Sequence, residues 1–281
     1  MTENERPSRQ VMIMVAPNGA RRTKADHPDL PMTAEELAGD AQACREAGAA
    51  AIHMHVRGSD GGHVLDAGLY REAMQAVHDA TGGDMAVQIT TEAVGIYTAD
   101  QQMAVVRDVV PRAVSMALKE LVPDDASKAA AGDFFRWMKE AGVSPQFILY
   151  EAGEVDRLFK LKEEGVIPFA RPFLLFVLGR YATDQQSEPE DLTPFLDALG
   201  DRDVPWAMCA FGRRELACAE AAVAAGGHVR VGFENNLHMA DGSLAGSNAD
   251  LVAATAEGVR RLGHEVMTAQ EAKAFMEAAA I

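Results

Sequence analysis

Ala49–Val56 reads AAAIHMHV, an apolar run closing on two histidines two positions apart. A short apolar run rich in branched residues and bounded by glycine reads as a buried strand. Upstream, Thr33-Ala34-Glu35-Glu36 is a capping box that opens an amphipathic stretch to Ala47, and Gly48 ends it. Further upstream, Gln10–Ala16 (QVMIMVA) is another apolar run, stopped by Pro17-Asn18-Gly19. The unit is therefore strand, helix, strand, the signature of a parallel sheet with a helical crossover.

Downstream the same alternation continues. A helix at Tyr70–Ala80 precedes a strand at Met85–Thr90. A helix at Ala99–Val109 leads to a strand at Ala113–Met116, and one at Asp125–Ala141 to a strand at Pro145–Tyr150. Glu154–Glu164 is helical before the strand Pro172–Leu178, and Glu188–Leu199 before Pro205–Cys209. Arg214–Ala225 is helical before His228–Gly232, and Asn248–Leu262 follows. A second capping box, Thr268-Ala269-Gln270-Glu271, opens one more helix. Eight strands alternating with eight helices predict a (β/α)8 TIM barrel with an extra C-terminal helix, formed as a single domain over residues 1–281. The rival is an open doubly wound sheet, but the chain carries neither G-x-G-x-x-G after its first strand nor G-x-x-x-x-G-K-[ST] anywhere.

Composition narrows the function classes. With 48% hydrophobic and 24% charged residues, the chain has apolar surface enough to fold. A formal net charge of −16 argues against nucleic acid, which needs a basic face. Three cysteines, Cys44, Cys209 and Cys218, form no C-x-x-C pair and fit a reducing cytoplasm. The polar opening Met1–Arg9 has no apolar signal region, and no apolar run approaches the roughly 18 residues of a membrane helix. The expectation is a cytoplasmic protein with no membrane or nucleic-acid partner.

The histidines carry the chemistry. His53 and His55 share one face of a strand, while Ile52, Met54 and Val56 share the other, which is apolar enough to lie under helices. The two imidazoles then point into the barrel mouth at the strand's C-terminal end, where active sites of this fold sit. Taken alone, H-x-H is also compatible with two hydrogen-bonded core histidines; a divalent metal resolves their mutual repulsion in a dry mouth. In His228–Glu234 (HVRVGFE) the even positions share a face, which sets Glu234 above Arg230 and His228. Two His and one Glu with an open fourth position form a catalytic zinc pattern. Arg230 is either a structural partner for Glu234 or a bidentate anchor for a substrate carboxylate. His27, His63, His78, His238 and His264 fall in loops or helices and are expected at the surface.

These residues resemble the beta-keto acid cleavage enzymes along nearly the whole chain. The resemblance rests on VMIMVAPNGA near the start, on AIHMHVR with its H-x-H-x-R core, on GGHVRVGFENN, and on GSLAGSNADLV near the end. It implies a zinc-dependent barrel, usually a homotetramer, that takes a beta-keto acid and acetyl-CoA to acetoacetate and a new acyl-CoA. By motif matching His53, His55 and Glu234 are the metal ligands, Arg230 the active-site arginine and Thr90 a substrate-contacting hydroxyl. Asn235 stands where the family usually has a proposed base, an aspartate. An amide cannot take a proton at neutral pH. Glu92 or Glu120 is then the candidate base, or the activity is altered. Gln146 and Ile148 stand where acids are common, so the substrate shell differs. Arg21 is expected to face an anionic or polar substrate end, and Arg213 and Arg214 to meet CoA phosphates; each also reads as an ordinary loop or rim charge. The alternatives to acyl exchange are an aldolase- or hydrolase-type reaction without CoA, and a non-catalytic small-acid binding protein.

Overall fold

A computed structural model of the chain describes residues 8–281. Part of the polar opening read above, Met1–Pro7, lies outside the described residues. Eight parallel strands close into a barrel: β1 (Ile13–Val15), β2 (Ala51–Met54), β3 (Ala86–Thr90), β4 (Ala113–Ala117), β5 (Ser144–Leu149), β6 (Phe173–Leu178), β7 (Trp206–Ala210) and β8 (His228–Val231). Each pairs with its neighbours in sequence, and β8 closes on β1 with Val229 opposite Ile13 and Arg230 opposite Met14. The TIM barrel is the observed architecture, and the open sheet is excluded.

The helices that cover it are α1 (Ala34–Ala47), α2 (Ala67–Thr81), α3 (Ala99–Val109), α4 (Lys128–Ala141), α5 (Ala152–Glu163), α6 (Thr193–Leu199), α7 (Glu215–Ala224), α8 (Asn248–Arg261) and α9 (Ala269–Ala278). Both capping boxes form: Thr33 with Glu36 opens α1 and Thr268 with Glu271 opens α9. Several boundaries differ from the sequence reading. Asp125–Ala141 begins only at Lys128, because Asp124 and Ser127 are absorbed in a side-chain-capped turn. Glu188–Leu199 divides into a 3-10 turn at Pro189–Leu192 and then α6. Leu118–Leu121, between the strand and the helix read there, makes one helical turn directly after β4. The second strand ends at Met54, and Val56–Arg57 leaves the barrel to pair antiparallel with His63–Val64.

Strand alternation sorts the side chains into two bodies. Ile52, Met54, Ile89, Val114, Met116, Phe147, Phe176, Met208 and Val231 face outward and pack under the helices. Met12, Met14, Ala51, Ala86, Ala113, Phe173 and Ala207 face inward and fill the lower barrel, joined by Ala272, Met276 and Ala279 of α9. A short parallel pair, Gln10–Val11 with Glu265–Val266, brings the chain under the barrel floor where α9 plugs it. The upper interior is polar instead: His53, Gln88, Thr90, Ser115, Gln146 and Arg230 are all buried there. Apolar floor and polar mouth set the buried polar groups at the C-terminal ends of the strands, where active sites of this fold sit. Among the described residues, no helix is long and apolar enough to cross a membrane.

Candidate active site

His53 projects inward from β2, as alternation requires. Its Nδ1 lies 2.9 Å from Gln88 Oε1 on β3, which assigns the Nδ1 proton and leaves the Nε2 lone pair free. His55 lies one residue beyond the strand, so alternation does not hold it. Asn18 does: its Oδ1 accepts from the His55 backbone N–H at 3.2 Å, and its Nδ2 donates to the His55 carbonyl at 2.9 Å. Arg57, the last residue of H-x-H-x-R, is buried and donates to the carbonyls of Ala20 at 2.6 Å and Arg22 at 3.1 Å. It thereby folds the loop after β1 against the histidines.

Glu234 reaches the mouth by a different route from the one its parity suggested. β8 ends at Val231, and the chain turns at Gly232 with φ of 136°. A Cβ on Gly232 would lie 2.6 Å from the Ala16 carbonyl oxygen, so only glycine lets β8 pass β1 this closely. The Glu234 N–H then donates to the same Ala16 oxygen at 3.0 Å. Its carboxylate ends 3.5 Å from His53 Nε2 and 3.8 Å from His55 Nε2.

The three side chains fit a metal ion. One ligand atom from each lies within 4.8 Å of the others. The two Nε2 atoms are 3.2 Å apart; nitrogens about 2.0–2.1 Å from a tetrahedral zinc lie about 3.3 Å apart. Burial lowers both histidine pKa values well below the usual imidazole range. A neutral imidazole is the form that ligates a metal ion. Glu234 Oε2 is buried without a hydrogen-bond partner, as expected of a ligand oxygen.

Two adjoining cavities open above this cluster. The inner one is walled by His53, Thr90, Ile148, Val177, Phe211 and Arg230 among others. The outer one is walled by Asn18–Arg22 and Gln185. Glu92, Arg180, Phe211 and Glu234 border both. Arg230 reaches Glu234 Oε1 at 3.4 Å and Cys209 Sγ at 3.5 Å through one nitrogen. Its Nε and Nη1 are buried with no partner. A guanidinium half satisfied in this way has donors to spare for an oxyanion.

Glu92 Oε2 lies 3.8 Å from His55 Nδ1, and its Oε1 lies 3.7 Å from Arg180. Burial first, and then the Glu234 charge, push the Glu92 carboxyl up to about 7. Glu120 borders neither cavity; its carboxylate accepts from Ala93 N–H at 3.2 Å and Gln102 Nε2 at 2.6 Å, pinning the loop after β3. The Asn235 side chain is wholly buried, unpartnered, and borders neither cavity. Arg21 is exposed on the wall of the outer cavity. Arg213 and Arg214 lie on the rim, where Arg214 pairs with Glu188 at 2.9 Å.

Sequence reading overlooked several members of this site. Arg180 stands two residues past β6, at the mouth end of the strand, and that placement was its available signal. Glu215, buried on α7, accepts from Gly232 N–H at 3.1 Å and Asn236 Nδ2 at 3.3 Å. Burial pushes it up to about 8, and its two hydrogen bonds make it a strut under the β8 turn. The expectation of surface histidines fails for His27 and His63, both buried; His63 stacks edge-on to His55 with ring centres 4.9 Å apart. The hairpin after β2 carries it there, which its loop-like sequence context did not reveal.

Comparison with known proteins adds the lineage. A profile described as beta-keto acid cleavage enzyme matches residues 10–277. The chain is 28% identical to the 3-keto-5-aminohexanoate cleavage enzyme of Fusobacterium nucleatum subsp. nucleatum, over 95% of this chain and 97% of that one. It is also 28% identical to the 3-dehydrocarnitine:acetyl-CoA trimethylamine transferase of Rhizobium meliloti, over 95% and 96%. The solved structure of ObcA with oxaloacetate shares the fold with a TM-score of 0.68 at 16% identity, over 89% of this chain and 67% of that one. A family match over nearly the full length, on a barrel whose mouth gathers its H-x-H and Glu signatures, leaves one lineage: this chain belongs to the beta-keto acid cleavage enzyme family.

Proposed function

We propose that the protein cleaves a beta-keto acid with acetyl-CoA, releasing acetoacetate and a new acyl-CoA. The observation that carries this reading is the pairing of the His53–His55–Glu234 cluster with the unpartnered Nε and Nη1 of Arg230 beside one cavity. The names of relatives that use acetyl-CoA support it. His53, His55 and Glu234 would hold a divalent ion such as zinc, which when bound would supply Lewis acidity toward the keto acid's carbonyl or carboxylate oxygens.

The residues divide the remaining work. Arg230 offers charged donors to the oxygen that becomes negative as the bond between C2 and C3 breaks. C3 leaves as a thioester on the CoA sulfur, and the fragment C1–C2 takes the acetyl group and departs as acetoacetate. Asn235 cannot exchange a proton, so we assign proton transfer at C2 to Glu92, which borders both cavities beside His55. Thr90 presents a buried hydroxyl from β3 to the inner cavity. Ile148, Val177 and Phe211 wall it with apolar surface and keep water from the reacting carbon. Of the two rim arginines we assign CoA phosphates to Arg213, which is exposed, since Arg214 is engaged by Glu188. The assembly we expect is a homotetramer, which light scattering would measure.

Metal analysis of protein purified without chelator, together with a screen of beta-keto acids against acetyl-CoA, tests the reading. The expected result is about one divalent ion per chain and acetoacetate formed in step with acyl-CoA. Turnover without CoA would point to the aldolase or hydrolase alternative, and metal-free protein or no turnover at all would overturn the proposal.

A further inference from the structure

Glu234 stands where the sheet no longer holds the chain. β8 ends at Val231, and residues 233–235 form a single turn with no helix after it. The Asn235 and Asn236 N–H groups both donate to the Gly232 carbonyl, at 2.8 and 3.0 Å. The Phe233 N–H donates to Asn248 Oδ1 at 2.8 Å, and the Glu234 N–H to the Ala16 carbonyl at 3.0 Å. The N–H groups of the turn are thus satisfied, but its carbonyls have no further helical turn to bond to. Phe233 and Asn235 are buried, where an unpaired carbonyl is costly.

Arg22, half-buried in the loop after β1, supplies the partners. Its Nη1 donates to the Phe233 carbonyl at 2.5 Å and its Nη2 to the Asn235 carbonyl at 3.2 Å. Those carbonyls lie on either side of Glu234, so one guanidinium spans the residue whose carboxylate faces His53 and His55. A planar fork of N–H groups suits two acceptors with one residue between them. The Asn235 carbonyl also accepts the Gly212 N–H at 3.2 Å, which ties in the loop after β7. Arg22 is itself held: its carbonyl accepts from Arg57 at 3.1 Å, and Arg57 follows His55 by two residues. The linkage therefore runs from the segment that carries both histidines, through the loop after β1, to the turn that carries Glu234. Arg22 also borders the outer cavity, so a direct contact with substrate is the rival role.

We infer that Arg22 is a positioning residue for metal binding: it clasps the peptide carbonyls on both sides of Glu234 and so holds that carboxylate against His53 and His55. The inference rests on the ligand set proposed above and adds the side chain that keeps it assembled. Lysine at this position would keep the charge but bring one nitrogen instead of a planar fork, so it cannot span both carbonyls in the same geometry. Charge and clasp are therefore separable by one substitution.

The test compares wild type, Arg22→Lys and Arg22→Gln as full-length proteins. In chelator competition with zinc, both variants should bind the metal about 10–100-fold more weakly, the usual cost of losing a group that supports a ligand. In hydrogen exchange at saturating zinc, the amides of residues 233–236 should exchange about tenfold faster in both variants, while those of β4 keep their wild-type rates. At saturating zinc the KM for acetyl-CoA should change by less than about threefold. Wild-type metal affinity in Arg22→Lys, with a loss only in Arg22→Gln, would reduce the role to charge and overturn the clasp. A raised KM with unchanged metal affinity would place Arg22 on the substrate and overturn it as well. Unchanged exchange in both variants would overturn it whatever the metal does. Glu234→Gln separates the two proposals. Undiminished metal affinity in that variant overturns the ligand set, and the clasp with it. A weakened Glu234→Gln beside Arg22 variants of wild-type affinity overturns the clasp alone. Should Arg22→Gln unfold, Arg22→Lys carries the same three readouts.

Discussion

Gly19 shows how little room the His53–His55–Glu234 cluster leaves around it. Its φ is 58°, and a Cβ placed there would lie 2.6 Å from Glu234 Cγ. Gly19→Ala therefore has two effects: strain in a left-handed conformation, and displacement of the Glu234 carboxylate. Gly82, at the end of α2, has a similar φ of 64° with nothing within 4 Å of the added carbon, so Gly82→Ala carries the strain alone. Both variants should lose about 1–2 kcal/mol in urea unfolding. Only Gly19→Ala should weaken metal binding, by about 10–100-fold, the effect of disturbing a ligand's support. Chelator competition reads this directly, and equal metal affinity in the two variants would show that Glu234 does not depend on Gly19.

At the scale of elements, α9 serves the barrel from its far end. Met276 is 4% exposed and joins Ala272 and Ala279 in the cluster that fills the lower barrel. Phe275 lies edge-on to both Phe173 and His228, with ring centres 5.1 and 4.6 Å away. The helix thus closes the floor with apolar surface, while the polar groups gather at the opposite end. Met276→Ala should cost about 2–4 kcal/mol of stability through the lost contacts and the cavity left behind. Its KM values and metal content should stay within error of wild type, since Met276 lies at the opposite end from the mouth. A changed metal affinity in this variant would mean that floor and mouth are mechanically coupled. α9 was legible in sequence from its capping box and periodicity; that it plugs the barrel was not, because nothing local states which face a terminal helix covers.

For the molecule as a whole, buried neutral histidines set the response to acid. His228 sits in the barrel floor, where its Nδ1 accepts the Met12 N–H at 3.0 Å. Burial lowers its pKa from 6.5 to about 3. Above pH 6.5 the ring is neutral in folded and unfolded chains alike, so its contribution is fully present. Between pH 6.5 and about 3 the unfolded chain binds a proton that the native protein excludes. Stability then falls by about 1.4 kcal/mol per pH unit for this one group. His228→Asn keeps an acceptor for Met12 and cannot titrate. Its unfolding free energy, measured by urea titration between pH 6 and 4.5, should fall less steeply than that of wild type by about one proton. Parallel slopes would show that His228 already binds its proton in the native barrel.

Alternating strands and helices, two capping boxes and the absence of nucleotide-binding glycines determined a TIM barrel from sequence alone, because periodicity and turn chemistry are local properties. The same alternation put His53 and Arg230 on inward faces, since side chains in a strand have a period of two. How the remaining mouth residues are held in place was decided only by tertiary structure. His55 is held by Asn18, Glu234 by the Gly232 turn, and Arg180 meets Glu92 across strands far apart in sequence. Those positions are set by where loops close over the barrel end. Loop closure depends on contacts between distant segments, which no window of sequence contains.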